Sequence, residues 1–237
     1  MAKDKLKRYA QVAEFPNVTE ITDLGLDRPL PEGYWAERFD TPAPRLTLEL
    51  ACGKGEYTLA QARLHPDRHF VGVDIKGARI WDGAGAALRE PLPNVHFLRV
   101  WIDHLPLYFA PGSLDEIWIV FPDPYLREKQ ASKRLTSPKF ARIYASLLRP
   151  GAAVHLKTDS PELTDFTLEQ VRDGWFDCSC HIPDIYAGGD AGRSDTGAFP
   201  VPDVLTSVQT FYEKSHLRKG RTIRYLHLTP GLRAAAS

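Results

Sequence analysis

The chain has only three cysteines, Cys52, Cys178 and Cys180, in 237 residues. So low and odd a count, with no apolar signal core after the charged start, excludes a disulfide framework and predicts reduced thiols in the cytoplasm. Cys178-Ser179-Cys180-His181 lacks the paired spacing of zinc sites and lies in a strand-like run, so no metal is expected. No apolar run approaches the roughly 20 residues that a membrane helix needs, which leaves no membrane partner. Internal repeats are absent as well. With 43% hydrophobic and 25% charged residues, the composition fits one α/β domain with extensions.

Net charge is also lacking, since 30 basic side chains balance 30 acidic ones. The balance hides an uneven distribution. Residues 1–8, 127–142 and 214–224 together hold 15 of the 30 basic residues and two of the 30 acidic ones. Such runs are commonly solvated faces. Three of them on an otherwise acidic chain fit better with a patch directed at phosphates.

What is present is organised around Phe121-Pro122-Asp123-Pro124. The apolar run Leu114–Val120 before it suits a parallel strand buried on both faces. Neither proline can donate to a strand ladder, so pairing stops and Asp123 falls just past the strand's carboxyl end. Open α/β sheets place their ligands there. Asp and Pro are also ordinary turn residues, and taken alone the stretch reads equally well as a turn. The basic run Arg127–Arg134 that follows points to a polyanionic substrate with one group for an acid to hold.

Arg45–Leu50 reads as a first strand, followed by the glycine turn Ala51–Glu56 and a helix around Tyr57 to Leu64. Gly53 and Gly55 allow a backbone turn that a ligand can approach closely. Phe70–Asp74 is a second strand ending in an acid, the position that holds ribose hydroxyls. The spacing is not G-x-G-x-x-G, because the third glycine of dinucleotide sites is missing. Glu49, at the end of the first strand, would repel a pyrophosphate and suit a cationic ligand. Among adenosine cofactors this indicates S-adenosyl-L-methionine.

Further on, the pattern predicts a helix over 76–90, a strand over 95–100, and a helix opened by Ser137-Pro138 and ended by Pro150-Gly151. A strand over 152–157 leads to Thr158-Asp159, where Asp159 is either a helix cap or a second acid at a strand end. Residues 183–206 form a long loop without periodicity, and 222–228 a last strand. Residues 1–44 read as a basic extension, loosely packed with one short helix, 45–230 as the catalytic domain, and 231–237 as a disordered tail.

Leu48-Glu49-Leu50-Ala51-Cys52-Gly53-Lys54-Gly55, Gly72-Val73-Asp74, Phe121–Pro124, Lys133–Thr136, Thr158-Asp159 and Thr210-Phe211-Tyr212-Glu213 occur in the order seen in bacterial tRNA (guanine-N7-)-methyltransferases. The chain resembles that family over residues 46–228. The resemblance implies a class I, Rossmann-like α/β fold: a seven-stranded, mostly parallel sheet with helices on both faces and the last strand antiparallel. It implies S-adenosyl-L-methionine as methyl donor and tRNA as partner, methylated at N7 of the variable-loop guanosine, by a monomer or homodimer. Position by position, Glu49, Gly53, Gly55, Asp74 and Asp123 would serve the cofactor, with Asp123 also catalytic. Asp159 and Thr210, Phe211, Tyr212 and Glu213 would hold the guanosine, and Arg127 would keep the charge of the family's substrate-contacting lysine. The family's acid near the adenine falls on Trp101, so either Asp103 replaces it or Trp101 covers the adenine face. Two other readings stay open: methylation of another nucleic acid or a small molecule, and a non-catalytic RNA-binding module. The joint presence of Glu49, Asp74, Asp123 and Asp159 weighs against the second.

Overall fold

Apolar runs such as Leu114–Val120 need cover on both faces, and the computed structural model supplies it: His69–Asp74 is buried at every position. The structure describes residues 2–21, 29–31, 33–39, 45–187 and 202–236. The strands are β1 (Val18–Glu20), β2 (Leu46–Leu50), β3 (His69–Asp74), β4 (Val95–Arg99), β5 (Leu114–Val120), β6 (Leu148–Thr158), β7 (Phe176–Ile182) and β8 (Arg224–Pro230). The helices are α1 (Ala2–Val12), α2 (Tyr34–Arg38), α3 (Glu56–Leu64), α4 (Gly77–Arg89), α5 (Pro138–Leu147), α6 (Pro161–Arg172), α7 (Val204–Ser207), α8 (Phe211–Arg218) and α9 (Leu232–Ala235). The sheet order is β1-β4-β3-β2-β5-β6-β8-β7, eight strands where the family resemblance predicts seven. The expected antiparallel last strand is β8. Among the described residues no helix is long and apolar enough to cross a membrane.

The chain divides into two compact units, residues 1–117 and 118–237. In the first, β1, β4, β3 and β2 are parallel, and Val12, Phe70, Ile80, Ala84 and Phe97 form much of the core. The extra strand is β1, and it corrects the expectation of a loose extension. Val18 pairs with Phe97, Arg8 meets Asp82 of α4 at 3.3 Å, and the Trp81 indole donates to Gln11 at 3.0 Å. In α2, Trp35 stacks on Phe109 with ring centroids 4.9 Å apart. Among the described residues of this segment, Val12 and Phe39 are buried anchors.

In the second unit β8 runs antiparallel to both β6 and β7. Two more expectations are corrected here. Helix α5 ends at Leu147, and Pro150-Gly151 lies inside β6. The tail is ordered at 231–236: α9 buries Ala234, and the Gly231 amide donates to the Trp175 carbonyl at 2.9 Å. Only glycine allows that approach, because a Cβ at Gly231 would come 2.5 Å from the Gly174 oxygen. Of the predicted loop 183–206, residues 188–201 lie outside the described residues.

Gly83 gives a test of the first unit's packing. A Cβ there would sit 2.4 Å from the Lys54 carbonyl oxygen and 2.8 Å from the Phe97 ring. Helix propensity alone would favour alanine by about 1 kcal/mol. Overpacking against backbone costs more, so Gly83→Ala is expected to destabilise by about 1–3 kcal/mol in urea unfolding. A variant at least as stable as the parent would mean that the glycine turn yields freely.

Candidate functional site

In the first unit the turn between β2 and α3 takes the left-handed region at three alternate positions: Ala51 (φ 55), Gly53 (φ 58) and Gly55 (φ 67). The two glycines differ in what surrounds them. A Cβ on Gly53 would meet nothing within 4 Å, whereas one on Gly55 would lie 2.5 Å from Phe97. Gly53 therefore borders open space, and Gly55 serves close packing. Asp74 ties this turn to the next, its two carboxylate oxygens accepting from the amides of Gly53 at 2.9 Å and Lys76 at 2.8 Å. Each oxygen keeps a further lone pair for an outside donor.

Glu49 is buried. Its carboxyl accepts from the Thr58 amide at 2.7 Å and from the Thr58 hydroxyl, in the first turn of α3. Burial is the main cause that pushes its pKa up to about 8; the Thr58 bonds oppose the shift, and the charges of Asp74 and Glu56 add to it. Trp101 and Asp103 follow β4 and are both exposed, Trp101 to 50%. Glu49, the glycine turn and Asp74 are thus brought together. Trp101 precedes, and Asp103 lies within, the 3-10 turn Ile102–Leu107 that follows β4, the strand whose Arg99 is in register with Asp74.

In the second unit Asp123 is exposed at the tip of a strained loop. Phe121 (φ 49) and Tyr125 (φ 45) flank it in the left-handed region, a costly conformation for bulky residues that the surroundings must enforce. Two residues do so. The Phe121 amide donates to the Lys157 carbonyl at 2.8 Å. Arg134 donates to the carbonyls of Pro124 (3.2 Å) and Tyr125 (3.0 Å), with its guanidinium 4.4 Å from the Phe166 ring. Arg134 is buried, so it is a staple for the Asp123 loop and does not belong to the exposed part of the basic run. Arg127, Lys129 and Lys133 remain exposed.

Asp159 follows β6, whose neighbour β5 ends in the Asp123 loop. The helix cap is Ser160, whose hydroxyl accepts from the Leu163 amide at 3.1 Å, so the cap reading of Asp159 is excluded. Asp159 instead pairs with Arg221 at 2.5 Å and lies 3.1 Å from His216 Nδ1. His216 in turn stacks on Phe121, ring centroids 5.6 Å apart.

The segment Thr210–Glu213 splits by direction. Thr210 caps α8 by accepting from the Glu213 amide at 3.2 Å. Glu213 has no exposed surface, and its carboxylate meets Lys157 at 2.8 Å and the Tyr186 hydroxyl at 2.7 Å. Phe211 and Tyr212 face outward, 61% and 48% exposed. Sequence reasoning did not find Lys157, Tyr186, His216 or Arg221. The one signal available was a lysine near the end of a largely apolar strand.

Residues 43–175 match a family model for methyltransferases. The chain is 38% identical over 230 residues to the tRNA (guanine-N(7)-)-methyltransferase of Christiangramia forsetii, which covers 95% of this chain and 97% of that one. It is 37% identical over 229 residues to the protein of the same name from Bacteroides thetaiotaomicron, covering 95% and 85%. Among solved structures, the 16S rRNA methyltransferase KamB aligns with a TM-score of 0.60 at 16% identity, over 86% of this chain and 95% of that one; the likeness is one of fold.

Glu49 yields a pH prediction. The folded chain holds this proton more tightly than the unfolded one, so the stability it contributes is full below the unfolded value of 4.5 and lost as pH rises toward about 8. Glu49→Gln cannot ionise. Its melting temperature is expected to fall less steeply than the parent's between about pH 5 and 8. Parallel melting curves across that range would remove the buried-acid description.

Proposed function

The chain belongs to the family of tRNA (guanine-N7-)-methyltransferases, with the class I methyltransferase fold, and on that premise we propose that it transfers the methyl group of S-adenosyl-L-methionine to N7 of the variable-loop guanosine of tRNA in the cytoplasm. The observation that carries the reading is the pair of carboxylates, Asp123 and Asp159, that follow the neighbouring strands β5 and β6 in a chain that aligns with these relatives over 95% of its length.

The residues of the first unit fit the cofactor. Glu49 is a buried acid beside other acids, which an α-amino or sulfonium cation would return to its charged form. Gly53 opens onto free space, and Asp74 has acceptor capacity left for ribose hydroxyls. Glu49, Gly53, Gly55 and Asp74 would hold the cofactor, with Trp101 or Asp103 toward the adenine. When bound, it supplies an electrophilic methyl group.

Guanine N7 carries an in-plane lone pair and no proton, so no group has to deprotonate the nucleophile. The protein's work is alignment and tolerance of the positive charge that arrives on the ring. Asp123 and Asp159 do both. A carboxylate accepts hydrogen bonds from the guanine N1–H and N2–H₂ edge, which adenine lacks, and its charge favours the imidazolium formed on methylation. Asp159 reaches the base by exchanging Arg221, which is half exposed and can turn to a phosphate. Phe211 and Tyr212 offer ring faces to unstacked bases, and Arg127, Lys129 and Lys133 meet the backbone.

Incubation with labelled S-adenosyl-L-methionine and bulk tRNA, followed by mapping of the modified base, tests the reaction. Label at N7 of a guanosine supports it; label on another acceptor, or none, overturns it. Asp123→Asn is expected to lose turnover by about 10²-fold or more with S-adenosylhomocysteine affinity nearly intact. The rate profile of the parent should show no sharp basic limb near neutral pH. Near-parental turnover in a folded Asp123→Asn would return this residue to a turn role.

Salt dependence tests the basic run separately. Neutralising Lys129 and Lys133 should each lower the log–log slope of tRNA affinity against salt by about 0.7–0.9. Filter binding with an unchanged slope would make them a solvated face.

A further inference from the structure

The Asp123 loop and the start of α8 converge on one buried cation. Lys157, next to last in β6, has no exposed side-chain surface. Its ammonium donates to the Leu205 carbonyl at 2.6 Å, to the Glu213 carboxylate at 2.8 Å and to the Val208 carbonyl at 3.3 Å. The second Glu213 oxygen accepts from Tyr186 at 2.7 Å, whose hydroxyl accepts from the Gln209 amide at 3.1 Å. On the other side, the Lys157 carbonyl accepts from the Phe121 amide at 2.8 Å, and its ammonium lies 6.0 Å from the centre of the Phe121 ring. One residue therefore touches the strained loop that carries Asp123, the α7 segment and the motif that opens α8.

A buried ion pair is a poor device for stability alone. Desolvation of both charges offsets their attraction, and apolar residues of similar volume often serve as well or better. What apolar packing lacks is direction. Donors aimed at fixed acceptors select one register for the segments that bear them, whereas methyl groups tolerate sliding. Register matters here because the two exposed aromatics, Phe211 and Tyr212, lie between the inward-facing Thr210 and Glu213.

We propose that Lys157, paired with Glu213, is a positioning residue for methyl transfer: it sets the start of α8, and through Phe121 the Asp123 loop, relative to the substrate nucleotide. Glu213 then also acts through α8, whose first turn it anchors. The inference rests on the methyl-transfer reading above, and its test separates the two.

The variants are Lys157→Met, the double variant Lys157→Met/Glu213→Leu, and Tyr186→Phe. Lys157→Met strands the Glu213 charge in the core and should lower the melting temperature sharply. The double variant removes both charges and should recover most of that loss. Its kcat/KM for tRNA is nonetheless expected to stay about 10²-fold down, with S-adenosylhomocysteine affinity unchanged, because a small misplacement of aligned groups is costly. A double variant with parental melting temperature and parental kcat/KM overturns the proposal, since the pair would then only fill space. If the double variant does not fold, Tyr186→Phe decides. It deletes one bond to Glu213 without burying a charge, and should raise KM for tRNA several-fold at unchanged melting temperature. An unchanged KM overturns the proposal. Parent protein that methylates no tRNA overturns the functional reading, and this inference with it; an active double variant overturns this inference alone.

Discussion

Each strand that delivers a candidate functional side chain ends in a tight turn, and the backbone groups of that turn need partners once the ladder stops. The rest of the structure depends on how they are found. After β2 the chain alternates into the left-handed region at Ala51, Gly53 and Gly55, and the Asp74 carboxylate ties the turn down. After β5 the same problem is met without glycine. Phe121 and Tyr125 hold positive φ because Lys157 and Arg134 bind the backbone on either side of Asp123. Strain of this kind persists only where the surroundings enforce it.

Burial then separates the acids by role. Glu49 and Glu213 are both out of water, but their neighbours differ. Glu49 has Thr58 and two further acids around it, and its carboxyl favours the protonated form. Glu213 has Lys157, and the pair is internally compensated. The first arrangement favours a neutral acid, and the second is an ion pair. Asp123 is exposed between its prolines, and Asp159 holds a half-exposed arginine. Four carboxylates that look alike in sequence thus have four electrostatic settings.

Much of this was legible beforehand for one physical reason: it is local. A strand followed by a glycine turn, an acid closing the next strand and a proline-flanked aspartate after an apolar run are encoded within a few residues of one another. The strands and helices that carry them appear within a residue or two of expectation, apart from the end of α5 and the start of β6, which begins at Leu148 and not at residue 152. The described parts of residues 1–44 and of the tail depart from expectation because their order is non-local. Val12 is buried among Ile80 and Ala84, and Gly231 against Gly174, and neither contact leaves a periodic trace in the short segment concerned.

The sequence by itself determined the parallel α/β plan, the acids at the strand ends and the family, since hydrophobic runs, turn chemistry and motif order are properties of the chain as written. Only the tertiary structure decided what each charge is for. Arg134 and Lys133 are adjacent and equally basic, yet one is buried as a backbone staple and the other faces solvent. Thr210 and Glu213 turn inward while Phe211 and Tyr212 turn outward. A lysine inside an apolar strand gave no hint that its partner was a glutamate 56 residues away. Charge is written in the sequence, but its solvation and its partner are set by the fold, and those two quantities fix whether an ionised group binds, positions or merely dissolves.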